Sequence, residues 1–277
     1  MRAWLYALGS SFAILLSPAL ALGLQGSSGT ERPPGERAAA LSVGSPTRGR
    51  LTGADELESQ DALQVRRPGR ARWGLPELVD MLTRGAERVR KRYPGSVLLV
   101  GDLSRKLGGP IQGHRSHESG RDADVGFYFV DRRGRAAGTE RFLTVLANGR
   151  AKEEPGLAFD ERRNWALVQA WLTDPKARVQ HIFVSKALRT RLLAYARARG
   201  VYVPVLHRAS IALKQPSRGL SHDDHFHVRI GCPGGQRNVC QPEPERPRRK
   251  KRQAKPSQSI ARIAGDRAAA LALVKSR

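Results

Sequence analysis

Apolar residues at helical spacing open the folded part of the chain. Leu75, Leu78, Val79, Leu82, Ala86 and Val89 fall on one face of a 3.6-residue repeat, and Pro76 suits a first helical turn. Tyr93-Pro94-Gly95 stops that helix, and the apolar run Val97-Leu98-Leu99-Val100 has the length of a buried strand. After a Gly-rich loop, residues 123–130 predict a second strand. Trp165, Val168 and Leu172 share a face of a helix over about 160–172, which Asp174-Pro175 ends. Residues 179–184 read as a strand. Ser185 then caps a helix over 186–199, and Gly200 closes it. Residues 201–205 are a further strand candidate, which Pro204 pushes to a sheet edge. Residues 225–230 alternate as the last core strand.

The flanks read differently. Met1-Arg2, an apolar run from Phe12 to Leu22 and the small-x-small pattern Ala19-Leu20-Ala21 have the layout of a signal peptide over 1–21. Its apolar core is shorter than the ~20 residues of a membrane span, so no integral span is expected after cleavage. Residues 22–72 are Gly, Ser, Pro, Arg and Glu with few apolar positions, which predicts a disordered linker. One folded domain is expected over 73–241. Beyond it, 242–277 is a basic tail with a polybasic run bounded by prolines and an Ala-rich stretch over 260–274.

Charge narrows the partners without choosing one. Forty-nine Lys and Arg against 25 Asp and Glu give +24, a field that favours a polyanion such as nucleic acid, anionic lipid or cell wall. The 277 residues hold only 6% aromatics and offer no stacking platform or recognised DNA module, so no nucleic-acid partner is expected. Export would give Cys232 and Cys240, which bracket a Pro- and Gly-containing loop, an environment where a disulfide persists.

The chemistry gathers in two segments. Five of the seven histidines lie in Gly113-His114-Arg115-Ser116-His117-Glu118-Ser119-Gly120-Arg121-Asp122-Ala123-Asp124 and Ser221-His222-Asp223-Asp224-His225-Phe226-His227-Val228-Arg229. Zinc takes His nitrogens and carboxylate oxygens, and catalytic sites use three protein ligands plus water. Gly120 allows a turn between His117 and Asp124, so a loop-borne His and an Asp on the next strand can meet at one ion. His225 and His227 alternate by two and share a strand face, which aims both imidazoles into one cleft. Spacing does not say which of the two is the ligand. Asp122, Asp223 and Asp224 are expected at the surface or behind the ligands; Arg121 and Arg229 could bind a substrate carboxylate, but in a chain this rich in Arg they are expected at the surface. His181 and His207 stand apart.

These residues resemble a family. Ser116-His117-x-x-Gly120-x-x-x-Asp124 followed by His225-x-His227 is similar to the signature of zinc peptidases that cut D-amino-acid bonds in peptidoglycan. Within that group the match is to the penicillin-insensitive murein endopeptidases, carried also by Gly101-Asp102, Gly108-Gly109, Ile182-Phe183-Val184, His222 and Cys232-Pro233 with Cys240. The resemblance covers about 73–241. It implies an α+β fold, a Hedgehog- and D-Ala-D-Ala-peptidase-like antiparallel sheet flanked by helices in a single catalytic domain. It implies Zn2+ on His117, Asp124 and His227, with His114 and His222 close by and His225 as the catalytic neighbour. Some relatives carry a second metal through an acid and a His on the middle helix; Asp160-Glu161-Arg162-Arg163-Asn164 lacks the His.

The expected function is zinc-assisted hydrolysis of the D-alanyl–diamino acid cross-link of peptidoglycan, outside the cytoplasm. Two readings compete with it: a D-Ala-D-Ala carboxypeptidase or dipeptidase on the same site, and a non-catalytic wall-binding protein whose tail carries the function.

Overall fold

The computed structural model describes residues 39–67, 70–216 and 221–243. The expected signal peptide, residues 22–38 of the expected linker and nearly all of the basic tail lie outside them. In chain order the elements are β1 (Leu41–Ser45), β2 (Arg48–Thr52), β3 (Asp55–Glu56), β4 (Leu63–Val65), β5 (Trp73–Gly74), α1 (Pro76–Arg92), β6 (Leu98–Val100) and β7 (Asp122–Gly126). They continue with β8 (Phe129–Val130), β9 (Ala136–Ala137), β10 (Ala158–Phe159), α2 (Glu161–Leu172), β11 (Val179–Phe183), α3 (Lys186–Ala198), α4 (Val203–Ala212), β12 (Leu213–Lys214) and β13 (His225–Ile230).

The centre is a six-stranded sheet in the order β12-β11-β13-β7-β6-β4. The four inner strands run antiparallel, as expected, but β12 and β4 join the two edges in parallel, so the sheet is mixed. Alternation divides its faces. Ile182, Phe226, Val228, Ile230, Ala123 and Val125 are buried on one face. The helices supply the facing apolar stripe, with Leu78, Met81, Leu82, Ala86 and Val89 from α1 and Trp165, Val168 and Trp171 from α2. Trp171 and Phe127 meet the Phe226 ring edge-on at 5.9 and 4.7 Å. The other face holds His227, Arg229, Asp122 and Asp124.

Two expectations fail. The stretch read as a linker is structured wherever it is described. β1 and β2 form a hairpin, β4 is a sheet strand, and Leu51, Leu57, Leu63 and Val65 are buried. Few apolar residues suffice here because each short strand buries only one or two, which composition over fifty residues averages away. The strand candidate over 201–205 instead leads into α4. Pro204 sits in its first turn, where a missing N–H costs nothing, and Ala209 and Ala212 repeat at helical spacing on the buried side.

The hairpin also braces the loop ahead of β7. Gly49 donates to Glu118 Oε2 at 3.1 Å, Glu118 N–H donates to Pro46 O, and Leu51 N–H donates to Leu107 O. Leu51 lies under Gly120. A Cβ at Gly120 would stand 2.6 Å from Leu51 Cδ1, and its φ of +73° is open to glycine at little cost. If the segment were a linker, truncating Leu51 would change stability by less than about 0.5 kcal/mol. Leu51→Ala is expected instead to destabilise the protein by about 2–5 kcal/mol, measured by urea denaturation.

Candidate metal centre

Asp124 is the point of convergence. It lies on β7 opposite His227 of β13, and four imidazoles approach its carboxylate. His117 Nε2 is 3.3 Å from Oδ1, His227 Nδ1 is 3.1 Å and His225 Nε2 is 3.4 Å from the same oxygen, and His114 Nδ1 is 3.6 Å from Oδ2. The six residues singled out from sequence therefore meet in one place, since His222 stands with its ring 5.0 Å from that of His225 and 5.7 Å from that of His227.

Each ring is held from behind. His114 Nε2 meets Asp102 Oδ2 at 3.0 Å, and His227 Nε2 meets Asp122 Oδ1 at 3.0 Å. His117 Nδ1 donates to the Leu103 carbonyl at 2.7 Å, and His225 Nδ1 meets Asp224 Oδ1 at 2.6 Å. An acceptor on one ring nitrogen fixes the tautomer and leaves the other nitrogen bare toward Asp124, the arrangement that metal-binding histidines use.

His117 is the most constrained. Its φ is +73°, a region that costs a non-glycine residue about 1–3 kcal/mol. Asp122 Oδ2 accepts its backbone N–H at 3.1 Å, Ser104 Oγ donates to its carbonyl at 2.6 Å, and Leu103 fixes its ring. His222, the other non-glycine residue with positive φ among those described, is held by Ser185 N–H on its carbonyl at 2.8 Å.

The electrostatics are those of a cation site. Burial opposes charge on Asp124, but His117, His225 and His227 outweigh it and hold the carboxyl well below the usual range. Burial likewise opposes an imidazolium at His225, yet the Asp124 and Asp224 carboxylates beside it push it up to about 10. Two atoms facing this centre, His117 Nε2 and Asp124 Oδ1, are buried and accept or donate no hydrogen bond. Orphaned polar atoms of this kind are costly. His114, His117 and Asp124 offer ligand atoms all within 4.8 Å of one another. The 3.3 Å between the orphaned pair is about the donor spacing of a shell with ~2 Å bonds. The residues fit a small dication.

Sequence reasoning missed several contributors. Asp102 orients a ring nitrogen of His114, and Phe142 stacks on His225 at 5.0 Å and 21°; Asp122, expected at the surface or behind the ligands, lies behind His227. Arg121 and Arg229, expected at the surface, are 0% and 2% exposed. Arg121 donates to Gly44 O and Gln241 O, tying the hairpin to the segment after the cystine Cys232–Cys240. Arg229 pairs with Asp122 at 2.5 Å and with Glu243. The one available signal was register: a residue two positions from a ligand on the same strand shares its face. Asp160 and Glu161, at the start of α2, are engaged by Arg163 and Arg191.

The family model described as penicillin-insensitive murein endopeptidase matches residues 42–259. A penicillin-insensitive murein endopeptidase of Haemophilus influenzae is 31% identical over 204 residues, 72% of this chain and 66% of that protein. Proteins of the same name from Yersinia enterocolitica and Klebsiella pneumoniae are 31% and 27% identical, over 64% and 71% of this chain and 60% and 68% of theirs. The chain thus spans about two thirds of the length of these relatives.

Asp122 is the carboxylate behind the centre. Its burial works against charge, but Arg229 and His227 outweigh it and hold it far below the usual range. Removing its charge leaves Arg229 buried and half-compensated, so Asp122→Asn is expected to destabilise by about 3–5 kcal/mol at neutral pH. A depressed carboxyl stabilises above its unfolded pKa, and that contribution fades as pH falls. The gap between variant and wild type in denaturant titrations should therefore narrow below about pH 4.

Proposed function

Because the chain belongs to the penicillin-insensitive murein endopeptidase family, we propose that it is a zinc-dependent endopeptidase that hydrolyses D-alanyl–diamino acid cross-links in peptidoglycan. The observation that carries this reading is the orphaned pair His117 Nε2 and Asp124 Oδ1 at the meeting point of four imidazoles. His117, Asp124 and His227 would hold the ion, with His114 beside it. When bound, zinc supplies Lewis-acid polarisation of the scissile carbonyl and a water made acidic near neutral pH.

The chain's own residues do the rest. His225 is the group that moves the proton: with a cation on Asp124, His225 loses the carboxylate charge that keeps it protonated, and with Asp224 fixing Nδ1 its Nε2 can take a proton from the attacking water and return it to the leaving amine. His222 adjoins both His225 and His227 and is placed to stabilise the oxyanion that develops. Phe142 lies flat on His225, with the Arg66 guanidinium 4.9 Å from the Phe142 ring centre, and limits how far the imidazole can turn or be wetted. No serine or cysteine nucleophile is required, so β-lactams, which trap serine acyl-enzymes, have no target.

The mixed sheet and flanking helices support the Hedgehog-like architecture that the resemblance implies. A place in the periplasm, or outside the cell, is supported by the Cys232–Cys240 disulfide, which an oxidising compartment preserves. No helix among the described residues is long and apolar enough to cross a membrane. The anionic wall polymer also suits a chain of charge +24.

Purified protein incubated with cross-linked muropeptide dimers should release monomers, and a chelator should abolish the release. Trimming of free pentapeptide alone would make it a carboxypeptidase. His117→Ala and His227→Ala should lose bound zinc by elemental analysis. His225→Ala should keep the zinc and lose about 10²–10⁴ in kcat. Unchanged zinc in the first two variants would overturn the ligand assignment.

A further inference from the structure

The polar face of the sheet continues past the metal centre. Register sets Lys214 opposite Phe183, Phe183 opposite His227 and His227 opposite Asp124, one row across four strands. In the next row His181 stands opposite Arg229 and Arg229 opposite Asp122. Phe183 joins the two regions, its ring centre 5.5 Å from that of His227 and 5.6 Å from that of His181. Lys214 Nζ lies 5.6 Å from the Phe183 centre and 3.4 Å from His181 Nε2.

The charges in this corner balance in number, Lys214 and Arg229 against Asp122 and Glu243, but they are not paired one to one, and Glu243 reaches Lys214 only through space. Asp122 and Glu243 are both engaged by Arg229, while the groups that Lys214 touches among the described residues are uncharged. Burial and the nearby Lys214 and Arg229 push His181 down to about 4, so it stays neutral at physiological pH. Glu243, with its side chain 41% exposed, shows what this corner accepts: a carboxylate of the chain's own, 2.5 Å from Arg229 Nη1.

We propose that Lys214, His181 and Phe183 form a carboxylate subsite of the cleft, one aromatic ring away from the metal centre, which holds a free carboxylate of the peptide stem while the neighbouring amide is cut. The proposal rests on the peptidase reading and names what that cleft selects. An amide made through the α-amino group of a diamino acid carries that residue's carboxylate two bonds from the scissile nitrogen. With the carbonyl at the metal centre, that carboxylate would lie along the row that runs through Phe183 toward Lys214. Lys214 is a positioning residue here, with Phe183 as an apolar floor that keeps the amine extended over it.

The test uses two cross-link peptides that differ only in carrying a carboxylate or a carboxamide at that carbon. Binding is measured by calorimetry on the zinc-loaded full-length chain with His225→Ala, which separates affinity from turnover. The acid is expected to bind about tenfold more tightly than the amide. Adding Lys214→Gln should bring the ratio near one with zinc content unchanged, and Lys214→Arg should restore most of it. Equal affinity for both peptides, a preference that survives Lys214→Gln, or no binding of either would overturn the subsite. A tenfold preference without cleavage by the wild-type chain would support the subsite and sink the peptidase reading alone.

Discussion

A buried carboxylate that no hydrogen bond satisfies on one oxygen is the constraint on which this structure depends. Asp124 Oδ1 faces His117 Nε2, and both are shut off from water. A protein does not gather four imidazoles around one carboxylate to stabilise itself, since the desolvation of such a group is repaid only when it is fully paired. The surrounding shell makes the cost bearable. Asp102, Asp122, Asp224 and the Leu103 carbonyl each hold the far side of a ring. These contacts stiffen the centre and raise the basicity of the nitrogens that face inward.

Strain and support are matched in the same place. The two described non-glycine residues with positive φ, His117 and His222, both belong to the centre. His117 is kept in that conformation by bonds to its N–H, its carbonyl and its ring, from β7 and from the segment after β6. That segment is braced in turn by the β1–β2 hairpin through Gly49, Pro46 and Leu51. The geometry at the centre is thus built partly by a stretch more than sixty residues upstream.

How much of this was legible follows from where the signals lie. The helices and inner strands announce themselves, because α1 repeats apolar residues at helical spacing and β13 alternates them. The histidine segments announce the chemistry, because those residues are rare elsewhere in the chain. The hairpin was not legible: Arg48-Gly49-Arg50-Leu51-Thr52 buries a single large side chain, too little for a period to emerge. The start of α4 was misread because Pro204 is compatible with a strand edge and with a helix's first turn alike. Arg229 looked like one more cation among 49, and only its pairing with Asp122 across two strands marks it as interior.

Register is what converts the two segments into one centre. The β13–β7 pairing sets His227 against Asp124 and Arg229 against Asp122, with Val228 against Ala123 on the opposite face. Side chains alternate with a period of two, so a slip of β13 by one residue would carry the His227 imidazole and the Arg229 guanidinium into the apolar core and bring Val228 out. The slip is penalised from both faces: Phe226, Val228 and Ile230 would leave contact with the helices, and Asp122 would lose Arg229. The same residues that make the centre polar therefore fix the strand alignment that assembles it. The row extends through Phe183 to Lys214 because β11 and β12 obey the same alternation. An amine at the sheet edge and an orphaned carboxylate near its middle are two ends of one register.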